Sequence, residues 1–344
     1  MTRQESAMLE LEKAPEIPGV LVERYQTEEE WARARMTGLG GSDIAAVLGL
    51  SPFRGHNRMS VYLSKVGLAD EVPESDAMYW GREQEALIAK RFAQDTGECL
   101  IHPQNCLYRS AKFPWMIGTP DRLLYGKKEG LEIKTANYAF RSLWGEPGSD
   151  EIPEYYLTQC VWYMALTGYE RWHVAVLIGG NDYRTYVVER DPELESILIE
   201  QARAFWEYCV LAENPPKLDG SESTKTYLRK RYPKDDGEMK LATVEIDAMA
   251  KELAALNAEI EIRERRVAEI KALMQDYIGQ ASGVKGMGWK ATWKKAKDST
   301  VVNWEAVAKA LNPPAALIEQ NTVIRPGSRR FLFTVEKTEK EKGV

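Results

Sequence analysis

Apolar and polar positions alternate along this chain in two rhythms. Residues 79–97, YWGREQEALIAKRFAQDTG, repeat at helical spacing, with Leu87, Ile88, Phe92 and Ala93 on one side. Residues 155–168, YYLTQCVWYMALTG, read as a second amphipathic helix, with Gln159 and Tyr163 four apart on one face. Between them, residues 117–137, IGTPDRLLYGKKEGLEIKTAN, give two strand-like runs around a glycine-bounded turn. This alternation from Trp31 to about Leu211 predicts an α/β domain over residues 31–213, behind a polar leader over 1–30.

Residues 214–240, rich in Pro, Gly, Ser and charge, read as a linker, and 241–344 as a C-terminal extension. Within the extension, Met249, Leu253, Leu256, Ile260, Val267, Ile270, Met274 and Tyr277 recur in steps of four and three, interrupted by Arg263. They predict a long helix from Val244 to Ile278, either a coiled-coil or partner-binding helix or one packed on its own domain. Two strands should follow, one through KGMGWKATWKKAK and one through RRFLFTVEK, around a short helix near VVNWEAVAKAL. In the first, buried Trp289 and Trp293 would leave Lys290 and Lys294 facing out. Arg329 and Arg330 would open the second, making four candidates for phosphate contact.

The polar exceptions in the 117–137 hairpin carry the chemistry. In a strand, residues i and i+2 share a face, so Glu132 and Lys134 project together, and the short turn returns Asp121 alongside. Two unit negative charges 4 Å apart repel by roughly 4 kcal/mol at an effective dielectric near 20, and a divalent cation removes that cost. The lysine is then free to orient water or to neutralise charge on a phosphorane-like transition state. Such parts suit metal-assisted phosphodiester hydrolysis. An exposed hairpin with an ordinary Glu–Lys pair is the plainer alternative. Glu85, one turn after Gly81, can reach the same metal. Either Gln159 or Tyr163 can bond water, phosphate or Glu132, or each can be a satisfied polar group on the helix surface. Ser42 reads as the N-cap of a short helix ending at Gly49, which is either plain capping or a phosphate site to which Arg35 adds a contact.

Composition narrows the classes. Apolar residues are 44% and charged residues 28% of 344, a globular profile. No apolar run approaches a membrane span, and the start lacks a secretory signal, so a cytoplasmic protein is expected. Four cysteines without CxxC spacing and three histidines argue against structural zinc and a disulfide framework. A metal here would take oxygen ligands. The net charge is −6, but residues from Gly279 onward carry +6, leaving −12 on the rest. The tail can therefore meet a polyanion although the whole is acidic.

The order Gly40-Gly41-Ser42-Asp43, Gly81 to Glu85, Pro120-Asp121, Glu132-Ile133-Lys134 and Gln159 to Tyr163 resembles the YqaJ-type viral recombinase nucleases. These are relatives of the phage lambda exonuclease within the PD-(D/E)xK superfamily, and the match spans about residues 31–210. The resemblance implies a restriction-endonuclease-like core, a mixed central sheet flanked by helices with the acids on its hairpin. It implies that Asp121, Glu132 and the Ile133 carbonyl hold magnesium, with manganese substituting, and that Glu85 completes the site or positions water. Lys134 resembles the catalytic lysine and Gln159 the active-site glutamine. Trp31 to Arg35, followed by Ser42, is similar to a 5′-phosphate pocket.

The implied activity is 5′→3′ exonuclease action on double-stranded DNA ends, leaving 3′ tails for phage-type recombination in a bacterial or phage-infected cell. The implied assembly is a trimeric ring working with a single-strand annealing protein. A structure-specific or nicking endonuclease, and a DNA-end-binding scaffold without cleavage, are the alternatives.

Overall fold

A computed structural model describes residues 14–323, 327 and 329–334. The chain divides into two units, 1–232 and 233–344.

In the first unit, β1 (Val20–Arg24) precedes α1 (Glu28–Met36), α2 (Gly41–Leu48), α3 (Arg58–Lys65) and α4 (Asp76–Thr96). The strands β2 (Leu100–Ile101), β3 (Cys106–Ser110), β4 (Ile117–Gly118), β5 (Arg122–Leu124) and β6 (Glu129–Ala136) follow. A 3-10 helix (Tyr138–Leu143) leads to α5 (Glu154–Thr167), β7 (Arg171–Ile178), β8 (Asp182–Glu189), α6 (Pro192–Phe205), a π-helical turn (Trp206–Leu211) and α7 (Glu222–Arg231).

The principal sheet has five strands in the order β2-β5-β6-β7-β8. It is mixed: β6 and β7 run parallel, and the other pairs are antiparallel. The parallel pair is joined by a crossover through α5, because parallel neighbours cannot be linked by a hairpin. Side-chain alternation on β6 serves two layers. Leu131 and Ile133 pack with Ile88, Ala89 and Phe92 of α4. Glu132 points the other way and meets Gln159 of α5. Helices thus cover both faces of a mixed sheet, the α/β arrangement expected.

The periodicity of α5 misleads in one respect. It is no half-exposed amphipathic helix, since Thr158 to Met164 are all buried. Its Trp162 donates to the Ile117 carbonyl at 2.9 Å, and Tyr163 stacks near Trp172. Leu87 of α4, expected on the apolar side, is exposed, because the contact stripe runs through Ile88 and Phe92.

Two boundaries also need correction. The leader is structured from residue 14: Ile17 is buried and β1 pairs antiparallel with β3, while residues 1–13 lie outside the described residues. The expected linker holds α7, whose Tyr227 is buried against Tyr62, ring centroids 6.1 Å apart. Ser223 donates to the Gly55 carbonyl, and Arg229 and Lys230 pair with Asp70, so residues 214–232 are part of the first unit.

In the second unit, α8 spans Val244–Ile278, the range that the seam of apolar residues predicts. Thr243 caps its first turn by accepting from the Ile246 N–H. Of its residues only Ile278 is buried. A hairpin of β9 (Gly283–Gly286) and β10 (Trp289–Thr292) replaces the single expected strand, because Met287 and Gly288 (φ 80°) form a turn inside it. Trp289 and Trp293 are each 52% exposed rather than buried, so they do not organise a packed module behind Lys290 and Lys294. Two short helices follow, α9 (Trp304–Leu311) and α10 (Ala315–Gln320). Arg329 and Arg330 lie in irregular chain through residue 334, and the rest of the expected second strand lies outside the described residues. Among the described residues, no helix is long and apolar enough to cross a membrane.

Candidate active site

The β5–β6 hairpin assembles the polar cluster. Arg122 pairs with Leu131 in register, so Asp121, one residue before β5, arrives beside Glu132 and Ile133. Its carboxylate accepts from the Ile133 N–H at 2.7 Å. Glu132 is 1% exposed. One of its oxygens accepts from Lys134 and, at 2.6 Å, from Gln159; the other, Oε2, is buried and has no hydrogen-bond partner. Gln159 closes the cluster: its carbonyl accepts from Lys134 at 3.2 Å, and its amide nitrogen lies 3.2 Å from the Tyr163 hydroxyl. Tyr163 in turn donates to the Thr119 carbonyl at 3.3 Å.

Burial sets the protonation balance. It pushes the Asp121 carboxyl well above the usual range, and the Glu132 charge adds to the rise. Burial likewise raises Glu132, against the opposing ammonium of Lys134. Burial alone would lower Lys134, but the Glu132 and Asp121 carboxylates outweigh it and raise its pKa, so the ammonium stays charged. Its Nζ also lies 4.9 Å above the Tyr156 ring, a cation–π contact.

A buried carboxylate oxygen without a partner is expensive, typically 1–3 kcal/mol or more for a charged group, and it marks where a ligand is wanted. Asp121, Glu132 and the Ile133 carbonyl supply hard oxygen donors, which fit magnesium or manganese. Among the described residues, no three His, Cys, Asp or Glu side chains form a ready cage. Such a cation would therefore retain water, the usual state of magnesium in proteins.

Glu85, on α4, stands near enough that its charge raises both carboxylates, yet it is engaged elsewhere. Arg122 holds it at 2.6 Å and also donates to the Asp121 carbonyl at 2.5 Å. Arg122 is 5% exposed and went unread in the sequence. Its position directly after Asp121, a cation inside an apolar run, was the available signal.

A second group adjoins the first. Arg35 donates to the Ser42 hydroxyl at 3.1 Å, with its guanidinium 4.9 Å from the Trp31 ring centre. The N-cap of α2 is Gly40, not Ser42. Gly40 donates to the Asp43 carboxylate at 2.8 Å, and Asp43 pairs with the buried Lys65 at 2.8 Å. Burial opposes ionisation of Asp43, but the Lys65 and Arg35 charges prevail and lower its pKa. Ser42 is thereby left free of the capping role. A Cβ on Gly41 would lie 2.9 Å from both Gln159 and Tyr163, so glycine lets the start of α2 touch α5. Arg35, Gly41, Ser42, Thr119 and Tyr163 line one small cleft beside the acidic cluster.

The remaining candidates lie in the second unit. Lys290 lies on β10 and Lys294 beyond its end, while Arg329 contacts the Lys234 carbonyl at 3.4 Å.

Residues 30–170 match the family described as the YqaJ-like viral recombinase domain. The Bacillus subtilis (strain 168) protein YqaJ is 33% identical over 212 residues, covering 60% of this chain and 64% of that protein. The chain thus spans less than two thirds of that relative's length. Among solved structures, an alkaline exonuclease from Laribacter hongkongensis is similar at 21% identity, with a TM-score of 0.44, over 59% of this chain and 97% of that one. A phage-related exonuclease from Haemophilus somnus 129PT is similar at 14% identity, with a TM-score of 0.40, over 51% and 95%.

Proposed function

We propose that this chain, whose residues 30–170 match the YqaJ-like viral recombinase domain, is a magnesium-dependent nuclease hydrolysing DNA phosphodiesters. The finer reading is a 5′→3′ exonuclease on double-stranded ends, leaving 3′ single strands for recombination by annealing. The observation that carries the proposal is the partnerless Glu132 Oε2, buried beside Asp121 and under a charged lysine. Without a cation that arrangement is unfavourable. With one, it is the donor set for attack on a phosphodiester.

Asp121, Glu132 and the Ile133 carbonyl would hold the cation, which when bound would neutralise phosphate charge and acidify a water. The protein's own groups divide the rest. Lys134 offers its ammonium to an anionic phosphate oxygen or to the attacking water, which it can orient but, staying charged, cannot deprotonate. Gln159 fixes Lys134 and Glu132 relative to each other through two hydrogen bonds, which spares reorganisation during the reaction. Arg35 and the Ser42 hydroxyl, hydrogen-bonded to each other beside the small adjoining cleft, would take a terminal phosphate, and such an anchor would favour ends over interior positions.

The test is digestion of linear duplex, labelled at either end and carrying 5′-phosphate or 5′-hydroxyl, beside a closed circle. Each is incubated with magnesium and with chelator. Loss of the 5′ label first, on phosphorylated linear DNA with magnesium only, is the expected result. Cleavage of the circle would point instead to an endonuclease. End binding without cleavage would point to a scaffold.

A further inference from the structure

Helix α8 carries an apolar face that the described residues of its own unit leave open. Ile246, Met249, Leu256, Ile260, Val267, Ile270 and Tyr277 are between 42% and 80% exposed. Numbered as heptads, Ile246, Leu253, Ile260, Val267 and Met274 fall at a, and Met249, Leu256, Arg263, Ile270 and Tyr277 at d. The seam runs unbroken for almost the whole helix except at Arg263. We infer that α8 is a self-association element: it pairs antiparallel with α8 of a second copy, about a twofold axis between Glu261 and Ile262.

The charges select both the partner and the direction. In a parallel pair, Arg263 would face Arg263, Glu259 would face Glu264, and Arg266 would face Lys271; all three contacts repel. Reversing one helix changes each of them. Seam layers become Ile246 with Tyr277, Met249 with Met274, Leu253 with Ile270, Leu256 with Val267 and Ile260 with Arg263. The flanking positions then set Glu259 against Arg266 on both sides of the axis. Arg263, 3.8 Å from its own Glu259, also comes beside the second copy's Glu259. Its long stem can cover the facing Ile260 while the guanidinium stays at the edge.

The two halves of the helix show the same bias. Residues 244–261 hold five acids and one base, whereas 262–278 hold three acids and four bases. Only antiparallel pairing lays the acidic half on the basic one.

Size and shape agree. If each of the seven exposed seam side chains loses roughly 100 Å², two copies bury about 1,400 Å², within the roughly 1,200–2,000 Å² of a stable specific interface. At the C-terminal end, Ile270, Leu273, Met274 and Tyr277 form a hollow of about 410 Å³ with Val284 and Trp289 of the following hairpin. The antiparallel register brings Ile246 and Met249 of the second copy to that hollow. It also gives the half-exposed Trp289 an apolar neighbour.

The test uses the full chain, with the exposed Cys99 replaced by serine. Leu253→Cys and Ile270→Cys proteins are made separately, mixed and oxidised. A disulfide joining 253 to 270 between the two proteins, with little 253–253 or 270–270 product, is expected. Predominant 253–253 product would overturn the antiparallel arrangement, and absence of any cross-link would overturn the pairing. Mass in solution gives an independent readout on variants of exposed residues that leave the fold intact. Ile260→Asp should halve it. Glu259→Lys should weaken association and Glu259→Lys with Arg266→Glu restore it, whereas a parallel pair would be strengthened by the single change.

Discussion

Asp121→Asn separates what the acidic cluster does for chemistry from what it costs the fold. The substitution removes a charge and keeps an oxygen able to accept the Ile133 N–H, which lies 2.7 Å from the carboxylate. Activity should fall to background, since a neutral amide holds a divalent cation more weakly than the carboxylate it replaces. Stability without metal should move the other way. Two like charges 4 Å apart repel by roughly 4 kcal/mol at an effective dielectric near 20, and Lys134 offsets part of that, leaving about 1–2 kcal/mol.

For a unit of this size 1 kcal/mol corresponds to about 2–4 °C, so the chelated variant should melt about 2–8 °C higher than wild type near pH 8. The sign follows from linkage. Burial and the Glu132 charge raise the folded-state pKa of Asp121 above its ordinary 3.8, so the folded protein holds the proton more tightly than the unfolded chain. Wild-type stability without metal should therefore decline as pH rises from about 4 through the raised folded pKa. The advantage of Asp121→Asn should shrink below that window. Saturating magnesium should stabilise wild type and leave the variant unmoved. Thermal melts in chelator across pH 4–9 measure this. A variant less stable than wild type at every pH would show that the carboxylate is a structural acceptor and refute the electrostatic reasoning.

Lys134→Met should abolish cleavage yet retain divalent-cation binding by calorimetry, because an ammonium is no ligand; loss of both would make the lysine a structural member of the hairpin. Arg35→Ala should erase a preference for 5′-phosphorylated ends, a loss of about 1.5–3 kcal/mol or roughly ten- to hundredfold, whereas equal slowing on both kinds of end would count against the phosphate role. Gly41→Ala places a Cβ 2.9 Å from Gln159 and Tyr163, and should cost about 1–3 kcal/mol by denaturant melt while slowing cleavage more than binding; unchanged kinetics would mean that the contact between α2 and α5 does not position the cluster.

Much of this protein is written locally. The pairing of Glu132 with Lys134 needs only the two-residue period of a strand, and Asp121 needs only a turn short enough to fold back. The limits of α8 needed only a heptad seam opened by Thr243 and stopped at Gly279. Each of these rests on neighbours within a few dozen residues. Tertiary structure decided what depends on distant partners. Arg122 looks like a misplaced cation until Glu85, 37 residues away, closes on it. Ser42 reads as a cap until Lys65 buries Asp43, which binds the Gly40 N–H and takes the start of the helix. Gln159 has the sequence of a surface residue, and becomes a buried bridge because the crossover lays α5 over Glu132. Trp289 of β10 and Trp293 just past its end read as a core, but they stay half in solvent because alternation specifies two faces of a strand and not what covers either one.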